Sequence, residues 1–238
     1  MNPQNEKQRK RLSRRVKKWH SAWCKQTKLE QLPHQVSALE WAAAIEAGIG
    51  ESAILTRRGG VLADEMGLGK TMVALALMLF HPKPHQLIVV PSVLLTQWSD
   101  IILERLGHKV LIFHGQKAKN TTQEELAVSP IVITTYGMIA KRKASTPATL
   151  LLSKQKWGRV VFDEAHHMRN RKLNFLGAMS IQTENLWLLT GTPIQNSRKD
   201  LRSLWMLLGF TTHQICLLYT SDAADEGLGV DLGGRRII

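Results

Sequence analysis

An α/β fold, a mostly parallel sheet with helices on both faces, is what three features of the sequence predict. Short runs of continuous apolar residues, such as Gln86 to Val90, lack the alternation of a half-exposed strand and read as strands buried on both faces. Segments with apolar residues at helical spacing lie between them. Each strand ends in small or polar residues, and right-handed crossovers bring such ends together along one edge, where ligands of open α/β sheets bind.

Residues 1–28 hold ten Lys or Arg against one acid, Glu6, and so carry most of the net charge of +13. Runs such as Arg9-Lys10-Arg11, Arg14-Arg15 and Lys17-Lys18 suit a polyanion or a nuclear-import signal, and equally suit a solvated leader. The segment is taken as a basic, disordered leader. From Leu32 to Ala47 the pattern is helical, with Pro33 in the first turn, Val36, Leu39 and Ala43 on one face, and Gly48 as the stop. Just inside that helix Gln35 carries an amide able both to donate and to accept, as an adenine edge requires, although a surface glutamine fits the same spacing.

Val61-Leu62-Ala63 is a short strand, and an apolar helix opens at Lys70. Gln86 to Val90 is the next strand, ended by Pro91-Ser92, which starts a helix with the stripe Leu94, Leu95, Trp98, Ile101, Ile102 and Leu106; Trp98 reads as core. Val110 to Phe113 is a strand and Gln116 to Thr122 a loop. Ile131-Val132-Ile133 is a strand with Thr134-Thr135-Tyr136 at its end. Lys141 to Lys156 reads as an exposed connection with one helix. Arg159 to Phe162 is a strand leading into Asp163-Glu164-Ala165-His166, Leu186 to Leu189 a strand ending in Thr190-Gly191-Thr192-Pro193, and a helix follows from about Arg198 to Leu208.

The longest apolar run, Met72 to Phe80, falls far short of the roughly 20 residues of a membrane span. A charged N-terminus without an apolar core segment is no secretion signal. Two cysteines, Cys24 and Cys216, make neither a disulfide framework nor a metal-ligand spacing, so a reducing intracellular compartment and no membrane partner are expected.

Chemistry concentrates in two places. In Asp64-Glu65-Met66-Gly67-Leu68-Gly69-Lys70-Thr71 a strand passes through a glycine loop into a helix. Glycines let backbone N–H groups converge on phosphate oxygens, and the helix start directs its positive end at them. Lys70 would add a charge on the β and γ phosphates and Thr71 a hydroxyl for Mg²⁺. Asp64 stands where the strict phosphate-loop pattern has its first glycine. Asp163 and Glu164, adjacent at a strand end, invite a division of labour: one carboxylate on Mg²⁺, the other orienting and deprotonating the attacking water. A structural acidic pair at a turn is the competing reading. His166 and His167 are set aside as a metal site because neighbouring side chains should diverge.

These segments, with Leu188-Leu189-Thr190-Gly191-Thr192-Pro193-Ile194-Gln195-Asn196, resemble the Swi/Snf-type family of superfamily-two helicase-like ATPases over about residues 30–210. Pro33-His34-Gln35, Gln97-Trp98 and Ile133-Thr134-Thr135-Tyr136 are similar to its accessory motifs. The resemblance implies a RecA-like lobe of a phosphate-loop ATPase, residues 29–215, that uses ATP and Mg²⁺ and tracks along duplex DNA, remodelling nucleosomes or other DNA-bound proteins. It implies that Gln35 reads adenine, that Lys70, Asp163 and Glu164 are catalytic, that Thr71 and Asp163 hold the metal, and that Thr190 and Thr192 couple nucleotide state to DNA. Pro91, Ser92, Thr134 and Thr135 would touch the DNA backbone. It also implies a second, C-terminal RecA-like lobe supplying arginines, without which this chain is expected to be inactive, and a nuclear location in a eukaryote. An ATP-independent basic nucleic-acid-binding fragment and an RNA helicase lobe, which also uses Asp-Glu-Ala-His, are the alternatives.

From Cys216 the character changes. Residues 216–238 are similar to conceptual translations of transposon-end sequencing adapters, and are expected to be read-through outside the native fold.

Overall fold

The computed structural model describes residues 3–49, 57–141, 147–168, 172–193, 201–215, 230–231 and 236–237. In chain order its elements are α1 (Pro3–Thr27), α2 (Pro33–Glu46), β1 (Arg58–Leu62), α3 (Lys70–Phe80), β2 (Gln86–Val90), α4 (Leu95–Leu106), β3 (Leu111–Phe113), α5 (Gly115–Asn120) and α6 (Gln123–Val128). Then come β4 (Ile131–Thr135), α7 (Tyr136–Ile139), α8 (Pro147–Lys154), β5 (Lys156–Trp157), β6 (Arg159–Phe162), α9 (Lys172–Ser180), β7 (Gln182–Thr183), β8 (Asn185–Leu189), α10 (Leu201–Leu208), β9 (Val230–Asp231) and β10 (Arg236–Ile237).

Six parallel strands in the order β3-β4-β2-β6-β8-β1 form the sheet, and β10 and β9 extend it antiparallel at the β1 edge. The continuous apolar runs are strands because both faces are covered. Ile88 and Val90 of β2 join the core under α1, α2, α3 and α4, whereas Leu87 and Val89 join the core under α6, α7, α8, α9 and α10. All six parallel strands end along one edge. In register, β6 pairs Phe162 with Val89 of β2 and with Leu188 of β8, and β8 pairs Leu189 with Leu62 of β1. The segments after β1, β2, β6 and β8 therefore emerge at one level.

The basic leader is corrected: it is a helix, α1, held by a buried stripe of Leu12, Val16, His20, Trp23 and Cys24. Lys, Arg and Gln are good helix formers, and a composition count over the segment hides apolar residues that recur once per turn. Trp19 stacks on Trp23 with centroids 5.6 Å apart and meets the Phe80 ring at 5.5 Å. Of the expected loop at Gln116–Thr122, residues 116–120 belong to α5 and Thr122 caps the start of α6. Thr122 accepts from the Glu125 amide (3.2 Å), and the Glu125 carboxylate accepts from the Thr122 amide (3.1 Å), a reciprocal cap that fixes the α6 start. Of the connection after Lys141, Pro147–Lys154 is the one helix expected, while residues 142–146 lie outside the described residues. The motif residues Ile194-Gln195-Asn196, the segment 197–200 and residues 216–229 also lie outside them. Among the described residues, no helix is long and apolar enough to cross a membrane.

Candidate nucleotide-binding site

After β1 the chain enters a loop whose two glycines adopt left-handed backbone angles, φ 86° at Gly67 and 79° at Gly69. At Gly69, which precedes α3, the left-handed backbone favours glycine, and an added Cβ, 2.3 Å from Gln35 Nε2, would push that amide aside. The same Gln35 amide donates to Leu68 O (3.2 Å), and His34 Nε2 lies 2.9 Å from that carbonyl. The start of α2 thus braces the loop from behind. Lys70 is buried at the first position of α3, and its ammonium donates to Asp64 O (2.8 Å) and Glu65 O (3.0 Å), which keeps a desolvated charge hydrogen-bonded.

Asp163 follows β6, two strands from β1. Its backbone N–H continues the ladder to Val89 O (2.9 Å), and its buried carboxylate accepts from the Trp98 indole at Oδ2 (2.8 Å) and from the Glu164 amide at Oδ1 (3.0 Å). Tyr136, fully buried, donates its hydroxyl to Asp163 O (2.7 Å). Burial pushes the Asp163 carboxyl above its ordinary value. The Trp98 hydrogen bond pulls against that, the Glu164 charge reinforces it, and the Glu164 amide and Lys70 oppose it. A carboxylate raised in this way is one that a cation would favour. Glu164 takes a left-handed φ of 51°, uncommon for a residue with a side chain, in the turn that leaves β6. Its Oε2 lies 3.1 Å from His166 Nδ1. The rings of His166 and His167 stack at 4.7 Å instead of diverging.

β8 lies between β1 and β6, and its end closes the gap. Thr190 is buried, its N–H donates to Leu62 O (3.1 Å), and its hydroxyl accepts from the Thr192 amide (3.2 Å). A Cβ on Gly191 would lie 2.8 Å from Met66 Cγ and 3.6 Å from Lys70 Nζ, so the segment abuts the glycine loop.

Together these residues line one cleft of about 320 Å³, formed by Met66, Gly67, Gly69, Lys70 and Thr71 on one side, Asp163 and Glu164 on another, and Leu94, Gln97, Trp98 and Ile101 on the third. That volume is at the low end for small-molecule sites. The structure therefore brings Lys70, Thr71, Asp163 and Glu164 together. Asp64 and Glu65 contribute carbonyls to Lys70, and Gln35 sits behind the loop. Pro91 and Ser92 stand at the end of β2, Ser92 exposed. Thr134 and Thr135, expected to touch the DNA backbone, lie inside the fold. Both are buried, Thr134 donating to Phe113 O (2.8 Å) and Thr135 Oγ1 lying 3.1 Å from His114 Nδ1, because alternating strand positions here face covered cores.

Two residues at the site do not stand out from sequence as part of it. Trp98 reads as core, and it is, yet its N–H is committed to Asp163. Tyr136 reads as a strand end within an accessory motif, with no role of its own. The Gln97-Trp98 segment is the available signal, but spacing alone does not show which acceptor an indole finds.

The SNF2-related domain family matches residues 34–219. An uncharacterised ATP-dependent helicase of Schizosaccharomyces pombe is 34% identical over 198 residues, covering 73% of this chain and 18% of that protein. Helicase SWR1 of Candida albicans is 32% identical over 189 residues, covering 75% of this chain and 10% of SWR1. Nuclear protein STH1/NPS1 of Saccharomyces cerevisiae is 31% identical over 194 residues, covering 76% and 13%. The chain thus spans less than a fifth of each of these relatives. Among solved structures, the Sulfolobus solfataricus SWI2/SNF2 ATPase core in complex with dsDNA is similar with a TM-score of 0.61 and 25% identity, over 76% of this chain and 36% of that one.

Proposed function

The chain belongs to the SNF2-related family of helicase-like ATPases, in its N-terminal RecA-like lobe, and from that premise we propose that it binds ATP with Mg²⁺ and duplex DNA as half of a translocating motor. The observation that carries this reading is the meeting of Lys70, Thr71, Asp163 and Glu164 in one cleft at the strand ends. Lys70 is released from the Asp64 and Glu65 carbonyls to the β and γ phosphates, and the glycine-loop amides and the α3 start cradle them. Thr71 and Asp163 hold the metal, which when bound offsets phosphate charge. Glu164 orients the attacking water, and Gln35, once its amide leaves Leu68 O, reaches the adenine edge. Thr190 and Thr192, packed by way of Gly191 against the loop, relay nucleotide state. Pro91 and Ser92 meet the DNA backbone.

Among the described residues lining the cleft, the cation is Lys70. Arginine fingers are worth about 10³–10⁵ in rate in related chemistry, so hydrolysis is proposed to need arginines of a second RecA-like lobe. Duplex DNA in the solved neighbour and the names of the relatives support a DNA-tracking, chromatin-remodelling role, nuclear in a eukaryote.

Binding of a fluorescent ATP analogue with Mg²⁺ tests the cleft: Lys70→Ala should weaken it at least about tenfold, the value of one charge-assisted hydrogen bond. Fusing the chain to the second lobe of a relative should give hydrolysis stimulated by duplex DNA. Unchanged analogue binding in the Lys70 variant would contradict the site, and stimulation by RNA in preference to duplex DNA would favour an RNA helicase.

A further inference from the structure

The charge of α1 is arranged. Leu12, Val16, His20 and Trp23 form its buried stripe, and on the opposite side Lys7, Arg11, Arg14, Lys18 and Lys25 follow one another at spacings of four, three, four and seven residues, all exposed. At 100° per residue they fall on one straight ridge, roughly 27 Å from first to last at a helical rise of 1.5 Å. Among the described residues none of these five makes an ion pair. The acids near α1 are engaged elsewhere, Glu6 with Lys10 (2.6 Å) and Glu40 with Lys17 (3.7 Å) and the Ser13 hydroxyl (3.1 Å). A groove of about 550 Å³ flanks the ridge, lined by Arg9, Lys10, Arg14, Lys17, Glu40 and Trp41 among others.

The placement of α1 separates this ridge from the nucleotide cleft. α1 crosses α2 at Glu40, then the last residue of α3, where Arg15 lies over the Phe80 ring at 5.7 Å, and reaches the end of α4, where Arg105 donates to Thr27 O (3.1 Å). α3 and α4 begin at the cleft, with Lys70 and Trp98, and α1 packs on the ends they present farthest from it.

We propose that α1 is a second docking ridge for duplex DNA, binding the phosphate backbone independently of sequence and apart from the contacts proposed at Pro91 and Ser92. A linear series of cations on a rigid, convex helix matches an evenly charged rod. A nucleotide would engage one or two of these groups, and the groove that flanks the ridge holds the Glu40 carboxylate, which disfavours an acidic peptide seated in it. α1 is fastened by its tryptophans and its buried stripe, so the array is preorganised and loses little order on binding.

The test is the variant K7Q/R11Q/R14Q/K18Q, which leaves Lys10, Arg15 and Lys17 with their partners. Binding of a 20-base-pair duplex is measured by fluorescence anisotropy from about 50 to 200 mM salt. The slope of log affinity against log salt should fall by about 3 to 4, near 0.9 for each phosphate left without its cation, with duplex affinity at least tenfold weaker at low salt. Helical circular dichroism and Mg²⁺-ATP analogue affinity should stay at the unaltered value, so that a folding defect or a failed cleft is distinguishable. An unchanged slope overturns the proposal. So does preferential binding of polyglutamate over the duplex by the unaltered chain, which would assign the ridge to an acidic protein. Failure of the unaltered chain to hold duplex overturns it too, while leaving the nucleotide reading to its own test.

Discussion

Asp163 has two carboxylate oxygens and a fixed allocation for each: Oδ2 takes the Trp98 indole and Oδ1 the Glu164 amide. The Trp98 contact helps set the rotation of the carboxylate, which shares the cleft with Thr71. A hydrogen bond to a charged group is worth about 1.5–3 kcal/mol, enough to hold in one rotamer the carboxylate proposed to bind Mg²⁺. Trp98→Phe keeps most of the buried ring and removes the donor. The half-saturating Mg²⁺ concentration for ATP analogue binding should then rise several-fold, with analogue affinity measured in EDTA unchanged. A titration that separates these two readouts checks it, since a general loosening of the fold would lower both. An unaltered Mg²⁺ requirement would leave Trp98 as core alone.

Elements are tied together at the far end of the sheet by Glu46, the last residue of α2. Its buried carboxylate accepts from Arg159 of β6 at both oxygens, from the Trp187 indole of β8 (2.9 Å) and from His81 Nδ1 (2.8 Å), while Arg159 also donates to the Gln86 side chain of β2 (2.5 Å). Burial works to raise the Glu46 pKa, but the hydrogen bonds from Arg159 and His81, the Arg159 charge and the Trp187 hydrogen bond outweigh it and hold it at about 2, against an ordinary 4.5. A folded pKa below the unfolded one stabilises above the unfolded value, and that stabilisation is lost as pH falls from about 4.5 to about 2. Glu46→Gln strands a buried guanidinium and should cost about 3–5 kcal/mol near neutral pH. Urea unfolding across pH should show the gap to wild type narrowing through that window, and a gap constant with pH would refute the assignment. None of this is legible in the sequence: a lone Glu at the end of an apolar helix reads as exposed. The strands and the glycine loop are legible because buried parallel strands and glycine turns leave short, local patterns. α1 and α5 are not, since a few apolar residues among many cations, or a single Ala118 in Gly115–Asn120, carry too little periodicity, whereas Thr122-x-x-Glu125 does spell the α6 cap.

At the scale of the whole molecule, function depends on strand order. Placing β8 between β6 and β1 makes one cleft of segments far apart in sequence, and the register that does so is fixed by five pairs between β1 and β8 and three between β6 and β8. β10, itself paired with β9, adds only two pairs on the other edge of β1: Val61 with Ile237 and Leu62 with Arg236. Two ladder pairs contribute on the order of 1–2 kcal/mol, and ordering the residues that make them costs a comparable amount. β1 keeps its full pairing with β8 and both of its cores without them. A chain ending at Ile215 should therefore melt within about 4 °C of the 238-residue form and bind the Mg²⁺-ATP analogue equally well. Differential scanning calorimetry with light scattering decides the matter. If the last residues belong to the fold, their removal exposes the β1 edge to pairing between molecules, and the shortened chain should melt well below that margin and aggregate below its melting point.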